Sequence, residues 1–306
     1  MPNIIEVRGM SKRFGDFIAV DEMNLSIKQG EIFGLLGPNA AGKSTTIRLL
    51  SGIIGMDAGK VDILGFDLQS QMDQVKANIG YVSQSFALYP ELTVAENLDF
   101  YSAIYTTIDA QQKTQLLQDY GLDKMAHQRA GMLSGGYKRR LSIACALAHD
   151  PELIFLDEPT AGIDPVTRKE LWERFYTLAV QGKTLFVTTH YMEEAERCNS
   201  LAFIHHGKLV GQGSPSSMIA SFQNNHVFVA PVGHNPGLSK KLMTISGVKI
   251  LNQFGEELRI ITDGSVVSDT LSAMLKSFYE REIEVTQVGA TIEDVFISLT
   301  HEEKAL

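Results

Sequence analysis

Gly37-Pro-Asn-Ala-Ala-Gly-Lys-Ser-Thr45 fits G-x-x-x-x-G-K-S/T from Gly37 to Ser44, the pattern of a loop that cradles phosphates. Ahead of it runs Glu31-Ile-Phe-Gly-Leu-Leu36, short and apolar like a strand buried in a parallel sheet. Behind it, Thr45-Thr-Ile-Arg-Leu-Leu50 has helical spacing. Strand, glycine-bearing loop and helix, in that order, turn a string match into a site. Gly37 and Gly42 permit the tight turn that points successive backbone N–H groups at phosphate oxygens. The helix start adds the positive end of its dipole. Lys43 brings a mobile charge for the β- and γ-phosphates, and the Ser44 hydroxyl is suited to ligate Mg²⁺. Gly37, Pro38, Asn39, Ala40, Ala41, Gly42, Lys43, Ser44 and Thr45 are therefore the first candidate nucleotide-binding residues.

The 306 residues are enough for two domains, and 44% hydrophobic with 21% charged residues is ordinary globular composition. A net charge of −9 argues against non-specific nucleic-acid binding, which needs a basic face. Lys138-Arg139-Arg140 is the one small basic candidate. Cys145 and Cys198 form no C-x-x-C, so neither a disulfide framework nor a zinc site is expected. The N-terminal segment lacks the basic-then-apolar pattern of a secretory signal, and no window approaches about 18 uninterrupted apolar residues. Work at a membrane would be that of a peripheral partner.

Ile4–Val7 and Ala19–Ile27 alternate apolar and polar residues and predict an antiparallel β layer beside the loop. Phe14, before Gly15, is the candidate for stacking on an adenine ring, with Phe17 as fallback. Ile79–Ser83 is strand-like and ends at Gln84, and residues 93–105 and 109–120 predict a helical insertion. Leu133-Ser-Gly-Gly-Tyr137 opens a helix with Ser134 as N-cap.

Leu153-Ile-Phe-Leu-Asp-Glu158 is an apolar strand ending in two acids, where ligands bind in open α/β sheets. Asp157 is suited to hold Mg²⁺ or its water shell, and Glu158 to polarise a water for attack on the γ-phosphate. Leu185–Thr189 is a second buried strand with His190 at its end, a further catalytic candidate. Gly211–Ser217 has linker composition. Beyond it the pattern changes: strand Val227–Val232, helix Leu238–Met243, strands Val248–Gln253 and Glu257–Thr262, helix Val266–Arg281, strand Ile283–Val288 and helix Thr291–Leu299. That β-α-β-β-α-β order resembles a ferredoxin-like domain. The expected fold is α/β: a phosphate-loop NTPase core of mostly parallel sheet and flanking helices, with an antiparallel β layer and a helical subdomain in residues 1–222. A small α+β domain would fill residues 223–306.

The ordered set resembles the nucleotide-binding subunits of ATP-binding cassette (ABC) transporters over residues 1 to about 220. The matching pieces are the phosphate loop, Gln84 (Q-loop), Leu133–Tyr137 (signature), Leu153–Glu158 (acid strand), Ala161-Gly-Ile-Asp164 (D-loop) and His190 (switch histidine). The resemblance implies ATP and Mg²⁺ as ligands, with Glu158, His190 and Gln84 catalytic and Ser44, Gln84 and Asp157 around the metal. It implies that a second copy or a paralogous cassette pairs head to tail. Ser134, Gly135 and Gly136 of one copy, with Asp164, would then close over the ATP of the other. It also implies an integral membrane permease as partner, a place on the cytoplasmic face of the membrane, and no nucleic acid. Two positions depart from the common pattern: Ala40 where many relatives have glycine, and Tyr137 where glutamine is common. Tyr137-Lys-Arg-Arg140 and Ala290–Phe296 look like the branch that serves drug, antibiotic and polymer exporters. The alternative, a soluble ABC ATPase acting on ribosomes or DNA, would usually carry tandem cassettes or coiled-coil insertions, and this chain has one motif set and no sustained heptads.

Overall fold

The computed structural model describes residues 2–85, 87–105 and 108–304, which form two compact units that divide between Gln212 and Gly213. The strands of the first are β1 (Asn3–Phe14), β2 (Phe17–Lys28), β3 (Ile32–Leu36), β4 (Ala58–Ile63), β5 (Phe66–Asp67), β6 (Ile79–Val82), β7 (Leu153–Asp157), β8 (Thr184–Thr189), β9 (Ser200–His205) and β10 (Lys208–Gly213).

The central sheet has the order β10-β9-β3-β8-β7-β6. β9, β3, β8, β7 and β6 run parallel to their neighbours, so their carboxyl ends share one edge. β3, β7 and β8 are buried along their whole lengths, as their unbroken apolar runs require. Alternation splits those runs between two cores. Phe33, Leu35, Phe155 and Phe186 face one side, together with Ile47 and Leu50 of the helix after the loop. Ile32, Ile154, Leu156, Leu185 and Val187 face the other, against Ile143, Trp172 and Phe175. Each such buried side chain contributes roughly 1.5–3 kcal/mol relative to exposure.

The antiparallel layer has the order β2-β1-β4-β5. β1 and β2 are longer than the expected strands and end in a tight hairpin where Phe14 pairs with Phe17. β4 and β5 lie in a Gly/Asp-rich stretch with weak strand signal. β1 imposes that conformation, pairing Val7 with Val61 and Ile5 with Ile63. Helices Val94–Tyr105 and Ala110–Asp119 appear as expected, the second with an Asp109–Gln112 capping box. Cys145 and Cys198 are buried free thiols, and burial pushes both well above the ordinary thiol range.

In the second unit, β11 (His226–Ala230), β12 (Val248–Phe254), β13 (Glu257–Thr262) and β14 (Thr286–Val288) form an antiparallel sheet in the order β12-β13-β11-β14. Helices Pro236–Leu242 and Ser268–Tyr279 make the crossovers, in the β-α-β-β-α-β order expected. β14 is shorter than the expected strand Ile283–Val288: Ile283 and Val285 fill the core ahead of the paired residues. Asp294 accepts Arg259 Nη2 at 2.6 Å and Nε at 3.1 Å, and the Thr291 N–H at 2.8 Å, which anchors the start of helix Ile292–Lys304.

The expected linker at Gly211–Ser217 is not one. Its first residues complete β10, and Ser214 caps helix Pro215–Ser221, accepting Ser217 N–H at 3.1 Å with Pro215 at the first helical position. That helix packs on Ile292–Lys304, so the compact units divide at Gly213 and not at the expected 222/223. Among the described residues, no helix is long and apolar enough to cross a membrane.

Candidate functional site

Because β3, β6, β7 and β8 are parallel neighbours, the segments leaving their carboxyl ends converge: Gly37 after β3, Ser83 and Gln84 after β6, Glu158 after β7 and His190 after β8. The loop is as tight as its glycines predict. A Cβ on Gly37 would stand 2.2 Å from the Ile204 carbonyl oxygen, and Gly42 has φ +115° with its Cβ position 2.4 Å from the Ala19 oxygen. No side chain fits at either place.

Lys43 is 4% exposed, and its Nζ donates to the carbonyls of Gly37 at 2.9 Å and Pro38 at 3.1 Å. The same nitrogen lies 3.2 Å from Glu158 Oε1. Gln84 Nε2 donates to Glu158 Oε2 at 3.0 Å. His190 Nδ1 is 3.3 Å from that oxygen, off hydrogen-bond geometry. Glu158 is itself 7% exposed and sits at φ +45°, a left-handed conformation that non-glycine residues adopt mostly where surroundings enforce it. Thr188 enforces it. Its Oγ1 and carbonyl oxygen accept the Glu158 N–H at 3.0 and 3.2 Å, and its hydroxyl donates to Asp157 Oδ1 at 2.7 Å. Asp157 Oδ1 also accepts Ser44 Oγ at 3.1 Å, joining the loop to the acid strand.

These groups surround a cleft of about 560 Å³, within the range of small-molecule sites. Asn39, Ala40, Gly42, Lys43, Ser44, Thr45, Gln84, Glu158 and His190 all line it. Pro38 and Ala41 do not; Ala41 is buried in the core, and Pro38 contributes its carbonyl to Lys43. Phe17 and Tyr191 line the cleft; Phe14, the expected stacking residue, pairs with Phe17 across the β1–β2 hairpin. β2 is the edge strand that runs past the loop and carries Phe17 and Ala19 to the cleft.

Ser134, Gly135, Gly136 and Asp164 lie off the cleft. Ser134 holds the N-cap position of helix Gly135–Leu147, but its side chain makes no capping bond. Asp164 caps helix Pro165–Val180, accepting the N–H groups of Val166 and Thr167 at 3.0 Å. Hydrogen bonds from Thr167 hold its carboxyl below the ordinary carboxylate range.

Arg139 was legible only as part of a basic run, and the structure corrects that: no basic patch forms there. Arg139 is buried beneath the acid strand, and Arg140 pairs with Glu170. The available signal was helical phase, since residues 139, 143 and 147 fall on the stripe that buries Ile143 and Leu147.

Ala40 has φ +63°, so the loop holds an alanine where a left-handed backbone favours glycine. The Cβ costs about 1–2 kcal/mol there, partly offset because alanine has less freedom to lose on folding. Ala40→Gly is therefore expected to raise Tm by about 1–3 °C in a calorimetric scan. A lower Tm would show that this loop conformation is not the one populated.

Residues 20–161 match the sequence profile of the family described as ABC transporter. The chain is 41% identical over 225 residues to the probable multidrug ABC transporter ATP-binding protein YbhF of Escherichia coli (strain K12), covering 72% of this chain and 39% of that one. It therefore spans well under half the length of that relative. It is 37% identical over 304 residues to the Nod factor export ATP-binding protein I of Burkholderia orbicola (strain AU 1054), covering 98% and 97% of the two chains. Among solved structures, an ATP-binding subunit of an ABC transporter superposes with a TM-score of 0.66 at 28% identity, over 72% of this chain and 93% of that one. A dimeric ATP-binding cassette in a post-hydrolysis state, bound to ADP and Pi, superposes with a TM-score of 0.64 at 26% identity, over 69% and 98%.

Proposed function

The chain belongs to the ABC transporter family, and on that premise we propose that it is the ATP-binding and ATP-hydrolysing subunit that powers export through a separate membrane permease. The observation that carries this reading is the convergence of Lys43, Gln84 and His190 on the buried, strained Glu158 beneath the phosphate loop. The multidrug and Nod factor export relatives support the direction of transport.

The donors fit a nucleoside triphosphate with Mg²⁺: a glycine cradle into which no Cβ fits, a buried ammonium, and a hydroxyl and a carboxylate 3.1 Å apart. The loop's N–H groups and Lys43 bind the β- and γ-phosphates, and Phe14, opposite Phe17 on the hairpin, stacks on the base. Glu158 takes a proton from the water that attacks the γ-phosphorus, as the bond from that phosphorus to the bridging oxygen breaks and ADP leaves. Gln84 and His190 hold Glu158 and that water in line. Ser44 and Asp157, with the Gln84 amide, would hold Mg²⁺, which neutralises charge on the β- and γ-oxygens when bound. A few oxygen ligands suffice for Mg²⁺, because substrate phosphates and water complete its octahedron.

Ser134–Gly136 and Asp164 lie on helix starts away from their own chain's cleft, which supports a head-to-tail partner that closes over each ATP. The unit that ends at Gln212 is then the ATP-binding domain, and the unit that begins at Gly213 an accessory domain. The subunit works as a peripheral protein on the cytoplasmic face. Purified protein is expected to hydrolyse ATP only with Mg²⁺, and affinity purification from membranes to recover a multi-spanning permease. Recovery of ribosomes or DNA in place of a permease would overturn the export reading.

A further inference from the structure

The guanidinium of Arg139 starts on the helix that carries Ser134–Gly136 and ends under the acid at the end of β7. Nε donates to the Pro159 carbonyl at 2.7 Å, Nη2 to the Asp157 carbonyl at 2.8 Å, and Nη1 to the Ser83 carbonyl. Two of these carbonyls bracket Glu158, and the third directly precedes Gln84. Glu158 is the residue held at φ +45°, and Gln84 is its amide partner at 3.0 Å. One planar group thus fixes the backbone on both sides of the acid and the backbone that presents its partner.

Burial lowers the Arg139 guanidinium to about 10, which leaves it charged at neutral pH. The charge does not form an ion pair with a carboxylate oxygen in the fork; all three bonds go to main-chain oxygens. Its role follows from shape. Three donors in one rigid plane meet three carbonyls on two segments, which a single flexible ammonium cannot do.

We propose that Arg139 is a positioning residue for hydrolysis, whose fork sets the alignment of Glu158 and Gln84 from the signature-bearing helix. The inference rests on the ATPase reading above. Arg139 is not among the residues that line the cleft, so its loss acts on turnover more than on binding. Misplacing a reacting group by about 1 Å costs on the order of 100-fold in rate.

The experiment compares Arg139→Lys and Arg139→Gln with the unsubstituted full-length chain. It reads kcat, KM, equilibrium ATP affinity and Tm. The expected result is a kcat lower by about 10- to 100-fold, with ATP affinity within about threefold of the parent. In Arg139→Ala, millimolar guanidinium is expected to restore part of the lost kcat, which a general loss of packing would not allow. Parental turnover in both folded variants would overturn the inference, as would ATP affinity and kcat falling together. Failure of both variants to fold would overturn it too, by making Arg139 a folding residue. No turnover in the unsubstituted chain would instead overturn the ATPase reading.

Discussion

Glu158→Gln is expected to bind ATP and almost cease to hydrolyse it. Glutamine keeps the volume of glutamate and one oxygen that accepts the Gln84 amide, now 3.0 Å from Glu158 Oε2. It removes the carboxylate that faces both Lys43 and His190 in the cleft. A general base typically contributes 10²–10⁴-fold, so kcat should fall by at least about 100-fold. Affinity should hold or rise, because a negative charge beside the γ-phosphate has gone. With hydrolysis blocked, the ATP-bridged dimer should accumulate and elute ahead of the monomer in size-exclusion chromatography with ATP. Near-normal steady-state turnover in this variant would remove Glu158 from the role of base.

Lys43→Ala should act at the earlier step, binding. The ammonium is almost wholly buried and is aimed at two loop carbonyls and Glu158. Truncation removes the charge that would meet the phosphates and leaves Glu158 to repel them. Hydrogen bonds to charged groups contribute about 1.5–3 kcal/mol, so ATP affinity should weaken by about 10- to 100-fold. A calorimetric titration checks it, and unchanged affinity would sink the phosphate assignment. The two variants separate the roles: one spares binding and loses turnover, the other loses binding first.

Chain-local features were legible in advance. The phosphate loop, the acid strand and the histidine each announce themselves because strand, turn and helix signals are short-range, and the motif residues are adjacent in sequence. The order of elements in residues 226–304 was legible for the same reason. What misled was also local. Gly211–Ser217 reads as a linker by composition, yet Ser214-Pro215 is equally a helix start, and packing on Ile292–Lys304 selects the second meaning. Ala58–Ile63 carries weak strand propensity and becomes a strand because β1 offers it a ladder.

Residue types and spacing were enough to place the phosphate loop and to pick out Lys43, Gln84, Glu158 and His190, which the fold brings to one cleft. They could not say that Thr188 holds Asp157 and Glu158 together, or that Arg139 lies buried beneath them. Phe14 and Phe17 read as alternatives in the sequence, and the β1–β2 hairpin sets them opposite each other. Arg139 looks like a solvated charge until three carbonyls from residues 83, 157 and 159 meet at its fork. The physical reason is the same in each case. A motif is held by covalent neighbours, whereas these contacts depend on which strands lie side by side, and a parallel sheet decides that only when the chain has folded.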